Sequence, residues 1–330
     1  MSVLLIGEHR NGEASIAAAG MLAPSVEKAA GPAHDFAIAS RDMYAVYLEE
    51  LAEIVGVRVP LNRLGILQVA ITERGVRGLQ KTASPGSEWI DRDELARLEP
   101  TLGHAIGAVM NPEDGSVDNV IMMSALNQLI DSHPLVTRRT GSVTSVSPRN
   151  GTAVVHLADG SRFEASRVVL APGAWGGAID GAPALKVISP SRGQLMAYPN
   201  IGLRHITYGP RGYLVPRSGG VTIAGSTMEN VGFDAVTTPA GIERVGSAAT
   251  EIAPALGVLD PVSSWAGLRP VTPDMLPLLG PDQEHPEIIY ACGHSRNGIL
   301  LAPLTGKMVA QLVAGLTPKH DLSQFRPDRF

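Results

Sequence analysis

The sequence predicts an α/β chain, α+β when taken whole, in which a domain built from separated pieces carries an inserted antiparallel sheet. Three observations lead there. Apolar strands that run into loops and small-residue or helical stretches stand near both ends of the chain, after Val3 and after Ile288. The middle, from Val143 to Leu268, is a succession of short alternating runs with turn residues between them. Strand–helix alternation builds parallel sheet, and runs of strands build antiparallel sheet. The bulk composition, 44% hydrophobic and 18% charged over 330 residues, suits a globular protein with a sizeable core.

The elements follow in order. Val3–Ile6, bounded by Gly7, reads as a buried parallel strand with Glu8 at its C-terminal end. A loop, Asn11–Ser15, leads to the small-residue stretch Ala17-Ala18-Ala19-Gly20-Met21. Phe36, Met43, Tyr47, Leu51 and Ile54 recur at helical spacing between Asp35 and Val55, and Gly56 is the expected cap. Gly65–Ile71 reads as a strand, and Asp91–Leu98 and Asn119–Ile130 as helices. Val143–Val146, Val154–Leu157 and Arg162–Glu164 are expected strands, the last two joined by a hairpin turn at Ala158–Ser161. Strands are also expected at Arg167–Leu170, Gln194–Tyr198, Gly212–Pro216, Val221–Gly225, Trp265–Leu268 and Ile288–Cys292. Thr238-Pro239 opens a helix bearing Ile242, Val245, Ala249 and Ile252 on one face. A last helix is expected from near Pro303 to Gly315. The pieces 1–34, 131–182 and 280–330 are expected to form one domain, and 35–130 with 183–279 the inserted one.

Several functions are disfavoured by composition. A net charge of −5 gives no reason to expect nucleic acid or an anionic membrane surface. Cys292 is the one cysteine, so no internal disulfide or thiolate metal cluster can form. No apolar run is long enough to span a bilayer and no secretory pattern opens the chain, so a cytoplasmic protein is expected. His34, His104, His156 and His205 have no ligand spacing and read as structural or surface residues, with no metal expected.

Three motifs carry chemistry. A carboxylate at the end of a parallel strand, as Glu8 stands, is where a dinucleotide fold binds ribose hydroxyls. The small residues after it would let backbone approach a flat ring system. In Trp265-Ala266-Gly267-Leu268-Arg269-Pro270 an arginine ends an apolar strand. Burying it is costly unless it meets an anion, and its planar fork matches a carboxylate. In Gly293-His294-Ser295-Arg296-Asn297-Gly298, a strand turns toward a helix, where backbone N–H groups can face an electron-rich ligand edge. Taken singly, each motif also has a bland reading: a solvated loop acid, a structural ion pair, or ordinary capping.

In this order the motifs resemble the glycine oxidases of the D-amino-acid-oxidase superfamily, the type that supplies the imine for the thiazole of thiamine. The likeness runs from about Val3 to the C-terminus. It is most specific at AAAGML (17–22), WAGLRP (265–270) and GHSRNGILLAP (293–303). It implies a Rossmann-like FAD-binding domain with an inserted antiparallel substrate domain, and FAD as cofactor. It places Glu8 at the ribose, and Ala14, Ser15, Ala19, Gly20 and Met21 along the flavin. It places Val143 at the adenine, and His294, Ser295, Arg296, Asn297, Gly298, Ile299 and Leu300 at the isoalloxazine. Arg269 would bind the substrate carboxylate, with Tyr213 (in GYLVPR) and Arg296 as further substrate-side groups. The implied reaction passes hydride from an amine α-carbon to flavin N5, giving an imine and, with oxygen, hydrogen peroxide. The implied partners are a small amine or amino acid and oxygen, with homo-oligomerisation left open.

Two departures stand out. The family opens with a strand–GxGxxG–helix that seats the pyrophosphate, and no GxGxxG occurs in this sequence. The expectation is that the reading frame continues upstream of Met1 into such a segment. Arg211-Gly212 replaces a bulkier polar pair before Tyr213, near the expected mouth of the site. A sarcosine or D-amino-acid oxidase or dehydrogenase, or a flavin-free remnant, are the alternative readings.

Overall fold

The computed structural model describes residues 1–27 and 31–330. Its largest sheet has eight strands. Their order is Ser263–Val271, Ser189–Pro199, Val221–Gly225, Tyr213–Pro216, Ile206–Tyr208, Ile66–Ala70, Gly107–Asn111 and Glu88–Asp91. The expected antiparallel insert is therefore present, with one exception: Ile206–Tyr208 runs parallel to Ile66–Ala70. These two strands are far apart in sequence, so no hairpin constrains their relative direction.

Alternation along the strands divides two cores. Leu67, Val69, Met196, Tyr198, Leu214 and Ala224 face the helix Pro239–Ile252, which buries Val245, Ala249 and Ile252 against them. The Thr238 hydroxyl caps that helix by accepting from Gly241 N. Ile66, Leu195, Val215 and Ile223 line the opposite face with Ala19 and Ala23. The small-residue stretch is thus laid on the sheet face away from the helix.

Smaller sheets complete the fold. Val168–Leu170 pairs in parallel with Ile288–Cys292, which pairs antiparallel with Leu278–Pro281. Val143–Arg149, Thr152–Leu157 and Arg162–Ala165 form an antiparallel meander. Val3–Gly7 is parallel to Val136–Thr140, as its sequence suggests. It is not buried, however: Val3, Leu4 and Leu5 are 44%, 39% and 40% exposed. A parallel strand is buried when its sheet is covered on both faces, and this one has a single strand neighbour among the described residues.

Two helices differ from expectation in detail. Pro32–Val55 buries Phe36, Ala37, Ser40, Tyr44, Leu48 and Leu51, and Gly56 caps it in the left-handed region. Ile54 lies off this stripe and is exposed. The C-terminal helix is Gly298–Val313, starting five residues before Pro303. A proline inside a helix frees the carbonyl four residues earlier. Here that carbonyl belongs to Ile299, and the Tyr44 hydroxyl donates to it. Burial raises the Tyr44 hydroxyl well above the ordinary phenol range, so the donor stays protonated. No helix of the described residues is long and apolar enough to cross a membrane.

Candidate active site

The three motifs meet along one strand, Ser263–Val271. Leu268 N donates to Gly12 O at 2.8 Å, and Trp265 Nε1 to Ala17 O at 2.9 Å. Gly267 lets this contact close, because a Cβ there would collide with the Ala17 methyl. At the other end Ser295 N donates to Pro270 O at 2.9 Å. The loop after Glu8 and the turn before the last helix are therefore both tied to the WAGLRP strand.

Arg269 sits between these ties. Its strand pairs Ser191 with Arg269 and Gly193 with Gly267. Its guanidinium lies over Gly193, in space that a Cβ there would fill. Nη2 donates to Ser226 Oγ at 2.7 Å and Nη1 to Thr227 O at 3.1 Å. Among the described residues no carboxylate is within ion-pair distance of it. A half-buried guanidinium among neutral acceptors, with donors to spare, is a ready partner for an incoming carboxylate.

Tyr213 pairs in register with Gly225 and lies flat against it; a Cβ on Gly225 would come 2.6 Å from the Tyr213 hydroxyl. Ser226, the Arg269 partner, is the next residue. The Tyr208 ring stands 6.0 Å from that of Tyr213, and Arg296 Nη2 donates to the Tyr208 hydroxyl at 3.3 Å. Arg296 also donates to Glu27 Oε1 at 2.6 Å. Burial first, and then the Glu27 charge, raise the Tyr208 hydroxyl above the usual phenol range. A run of contacts thus connects Arg269, through Ser226 and Gly225, to Tyr213, Tyr208, Arg296 and Glu27, with Thr227 beside Arg269.

Of these additions only Tyr208 left a sequence signal. Tyr208 and Tyr213 flank the turn Gly209-Pro210-Arg211-Gly212 and become cross-strand partners. Ser226, Thr227 and Glu27 are brought in by long-range packing and left none.

The small-residue segment is positioned by backbone contacts. Ala14–Ala17 forms a single helical turn. Ser15 O accepts from Asn119 Nδ2 at 2.8 Å, and Ala19 O accepts from Arg217 Nη2 at 2.9 Å. Gly20 has φ +71°, and a Cβ there would overlap Val117 O. Met21 pairs with Ser116 in a short antiparallel bridge. The backbone of 14–21 is thereby fixed beside Trp265 with few side chains to obstruct a planar ligand.

Arg10 links Glu8 to the residue before Val143. Arg10 donates to Glu8 Oε1 from Nη2 at 2.6 Å and from Nε at 3.1 Å. It also donates to Ser142 Oγ at 2.8 Å, next to Val143 at the start of its strand. These bonds use one carboxylate oxygen of Glu8 and leave Oε2 for a ribose diol. At the far turn, Ile299 and Leu300 bury their side chains against Phe36, Tyr44 and Leu48. What they offer a ligand is backbone N–H. Asn297, the N-cap, makes no side-chain cap bond, so the helix start keeps donors for an electron-rich ring edge. Ser295 is buried with φ +51° and bonds within its own turn. The residues present fit a flavin at its ribose and ring ends.

His294 points elsewhere. Its ring packs inward with Nε2 3.1 Å from Thr305 Oγ1, and burial pushes its pKa down to about 4. In an unfolded chain histidine titrates near ~6.5, so between these values the unfolded state binds the proton preferentially. This contribution to stability is complete above about pH 6.5 and is lost as pH falls toward about 4. His294→Gln should therefore lose less Tm than the parent between pH 7 and pH 4.5, measured by thermal unfolding. Equal losses in the two proteins would overturn the assignment.

Residues 1–312 match the family model described as FAD dependent oxidoreductase (DAO). The chain is 36% identical over 329 residues to the bifunctional protein ThiO/ThiG of Synechocystis sp., covering 96% of this chain and 48% of that protein. It is 32% identical over 324 residues to the glycine oxidase of Bacillus licheniformis, covering 96% of this chain and 88% of that one. It spans about half the length of the ThiO/ThiG relatives it matches. Among solved structures, the glycine oxidase of Geobacillus kaustophilus superposes with a TM-score of 0.90 at 30% identity, covering 99% of this chain and 91% of that one. The chain belongs to the DAO family of FAD-dependent oxidoreductases.

Proposed function

We propose that the chain takes part in oxidising glycine, or an amine or amino acid of similar size, to its imine. The observation that carries this reading is Arg269, a half-buried guanidinium with no acid partner among the described residues. Its partner Ser226 follows Gly225, against which Tyr213 lies, and its strand is hydrogen-bonded to both segments of the flavin-lining set. In this reading Arg269 binds the substrate carboxylate, the Tyr213 hydroxyl and Arg296 stand beside it, and the amine α-carbon is carried toward the flavin. Bound FAD would accept hydride at N5 and pass electrons to oxygen, giving hydrogen peroxide. The protein's share is placement and exclusion of water; no acid–base group is required of it if the amine arrives neutral.

Glu8, Ala14, Ser15, Ala19–Met21, Val143 and 294–300, His294 by its backbone alone, serve as the flavin-binding set. The division into a flavin domain (1–34, 131–182, 280–330) and a substrate domain (35–130, 183–279) belongs to the same reading. So do a cytoplasmic setting and supply of an imine for thiamine thiazole. A second substrate reading takes an N-substituted or longer amine, such as sarcosine or D-alanine, as the substrate. Oxygen uptake and peroxide formation by the FAD-loaded protein decide between them. Saturable uptake with glycine above sarcosine and D-alanine is expected. The reverse order favours the second reading, and silence on all three sinks both.

A further inference from the structure

The site has two arginines on its substrate side, and their surroundings differ. Arg269 donates to neutral oxygens, those of Ser226 and Thr227. Arg296 donates to a carboxylate, Glu27, and to the Tyr208 hydroxyl. Among the described residues, the two guanidiniums and the one carboxylate leave this set a single uncompensated positive charge. We propose that Glu27 is a specificity-determining residue: it serves Arg296 as an internal carboxylate, so the site accepts amines with one acid group and rejects those with two. The proposal rests on the amine-oxidising reading above and refines its substrate class.

Glu27 is held in place. Its side chain is 12% exposed, against 42% for Arg296. It ends the short helix Pro24–Glu27, which is anchored through Ser25. Ser25 N and Oγ donate to the two oxygens of Asp114 at 3.1 and 3.0 Å, and Ser84 Oγ donates to Ser25 O at 2.8 Å. Asp114 is fully buried and is paired with Arg41 at 3.2 Å. Burying a carboxylate is costly unless hydrogen bonds compensate it, and here those bonds fix the segment that carries Glu27.

The chemistry follows from charge. A substrate with one carboxylate is neutralised by Arg269 and meets no second demand. A second carboxylate directed at Arg296 would lie beside Glu27, and like charges that close in a partly desolvated site repel strongly. Rejection by a built-in like charge is a common route to selectivity. Removing the Glu27 charge leaves Arg296 free to take the second acid group.

The test uses the FAD-loaded protein and Glu27→Gln, which removes the charge and keeps the shape. For turnover, glycine is compared with iminodiacetate, an amine bearing two carboxylates. For binding, acetate is compared with malonate by isothermal titration calorimetry. In Glu27→Gln the iminodiacetate-to-glycine ratio of kcat/KM should rise at least tenfold, and malonate should tighten at least tenfold relative to acetate. The double variant E27Q/R296M should lose both gains, because they require the released guanidinium. Ratios that stay within threefold of the parent, or gains that survive in the double variant, overturn the proposal. The binding arm needs no turnover. Silence toward every amine would sink the functional reading alone, and the malonate-to-acetate ratio would still decide the role of Glu27.

Discussion

Replacing Arg269 with methionine should lower kcat/KM for the amine substrate roughly 10²–10⁴-fold while the protein stays folded. Truncating one partner of a buried, hydrogen-bonded charge pair costs about 3–5 kcal/mol, and each 1.4 kcal/mol is about tenfold. In the proposed reading the group left unpaired is the substrate's own carboxylate. The loss should fall on kcat as well as KM, because a carboxylate without its fork no longer fixes where the α-carbon sits. The local fold should tolerate the change. Ser226 Oγ and Thr227 O would lose a donor, but Gly193 beneath the guanidinium leaves room for a methionine side chain. Arg269→Lys keeps the charge and loses the planar fork, so a smaller loss, about 10–100-fold, is expected. Steady-state kinetics with a thermal-unfolding control checks both variants. A methionine variant with parental kcat/KM would remove Arg269 from the site.

The reasons this residue was legible in the sequence also explain what was not. Arg269 could be singled out because an arginine within an apolar strand is a local anomaly that needs an anion. Gly20 and Gly267 lie in short recognisable motifs, although the atoms that require a glycine there, Val117 O and the Ala17 methyl, come from elsewhere in the chain. The start of the last helix was misplaced because Pro303 looks like a helix opening. Its tolerance in mid-helix depends on the Tyr44 hydroxyl, which is 255 positions from Ile299 along the chain. The exposure of Val3–Leu5 depends on which strands flank them, and an apolar run carries no record of its neighbours. Glu27 had no periodicity or motif to mark it, since its importance comes from Arg296, 269 positions later. Strands and helices were largely readable from alternation and capping. The electrostatics of the site arise from contacts between distant segments and were not.

Arg217 is the clearest case, and its removal should be the most destabilising single change at the site. The residue ends GYLVPR, where nothing local distinguishes it from a solvated strand-end arginine. In the structure its side chain is 7% exposed. Nη1 donates to Val117 O at 2.6 Å, and Nη2 to Ala19 O at 2.9 Å and Asn119 Oδ1 at 2.5 Å. Asp118 lies 3.8 Å away. Burial lowers its pKa and the Asp118 charge works against that shift. Arg217 is therefore the bolt that holds the flavin-lining backbone at Ala19 to the helix start at Asn119. Arg217→Met keeps much of the apolar stem but strands three acceptors and Asp118. A loss of about 3–5 kcal/mol is expected, which corresponds to a Tm lower by roughly 4–7 °C for a chain of this size. Arg217→Lys should fall between, since one ammonium does not reach all three acceptors in their fixed geometry. The same loosening should show in cofactor affinity, because Ala19 and Gly20 would no longer be held against Val117. An FAD titration should find weaker binding in Arg217→Met than in Arg269→Met, whose change is confined to the substrate side. A methionine variant that melts within 2–3 °C of the parent and holds FAD equally well would mean that the 19–21 segment is positioned by its packing on Trp265 and the sheet instead.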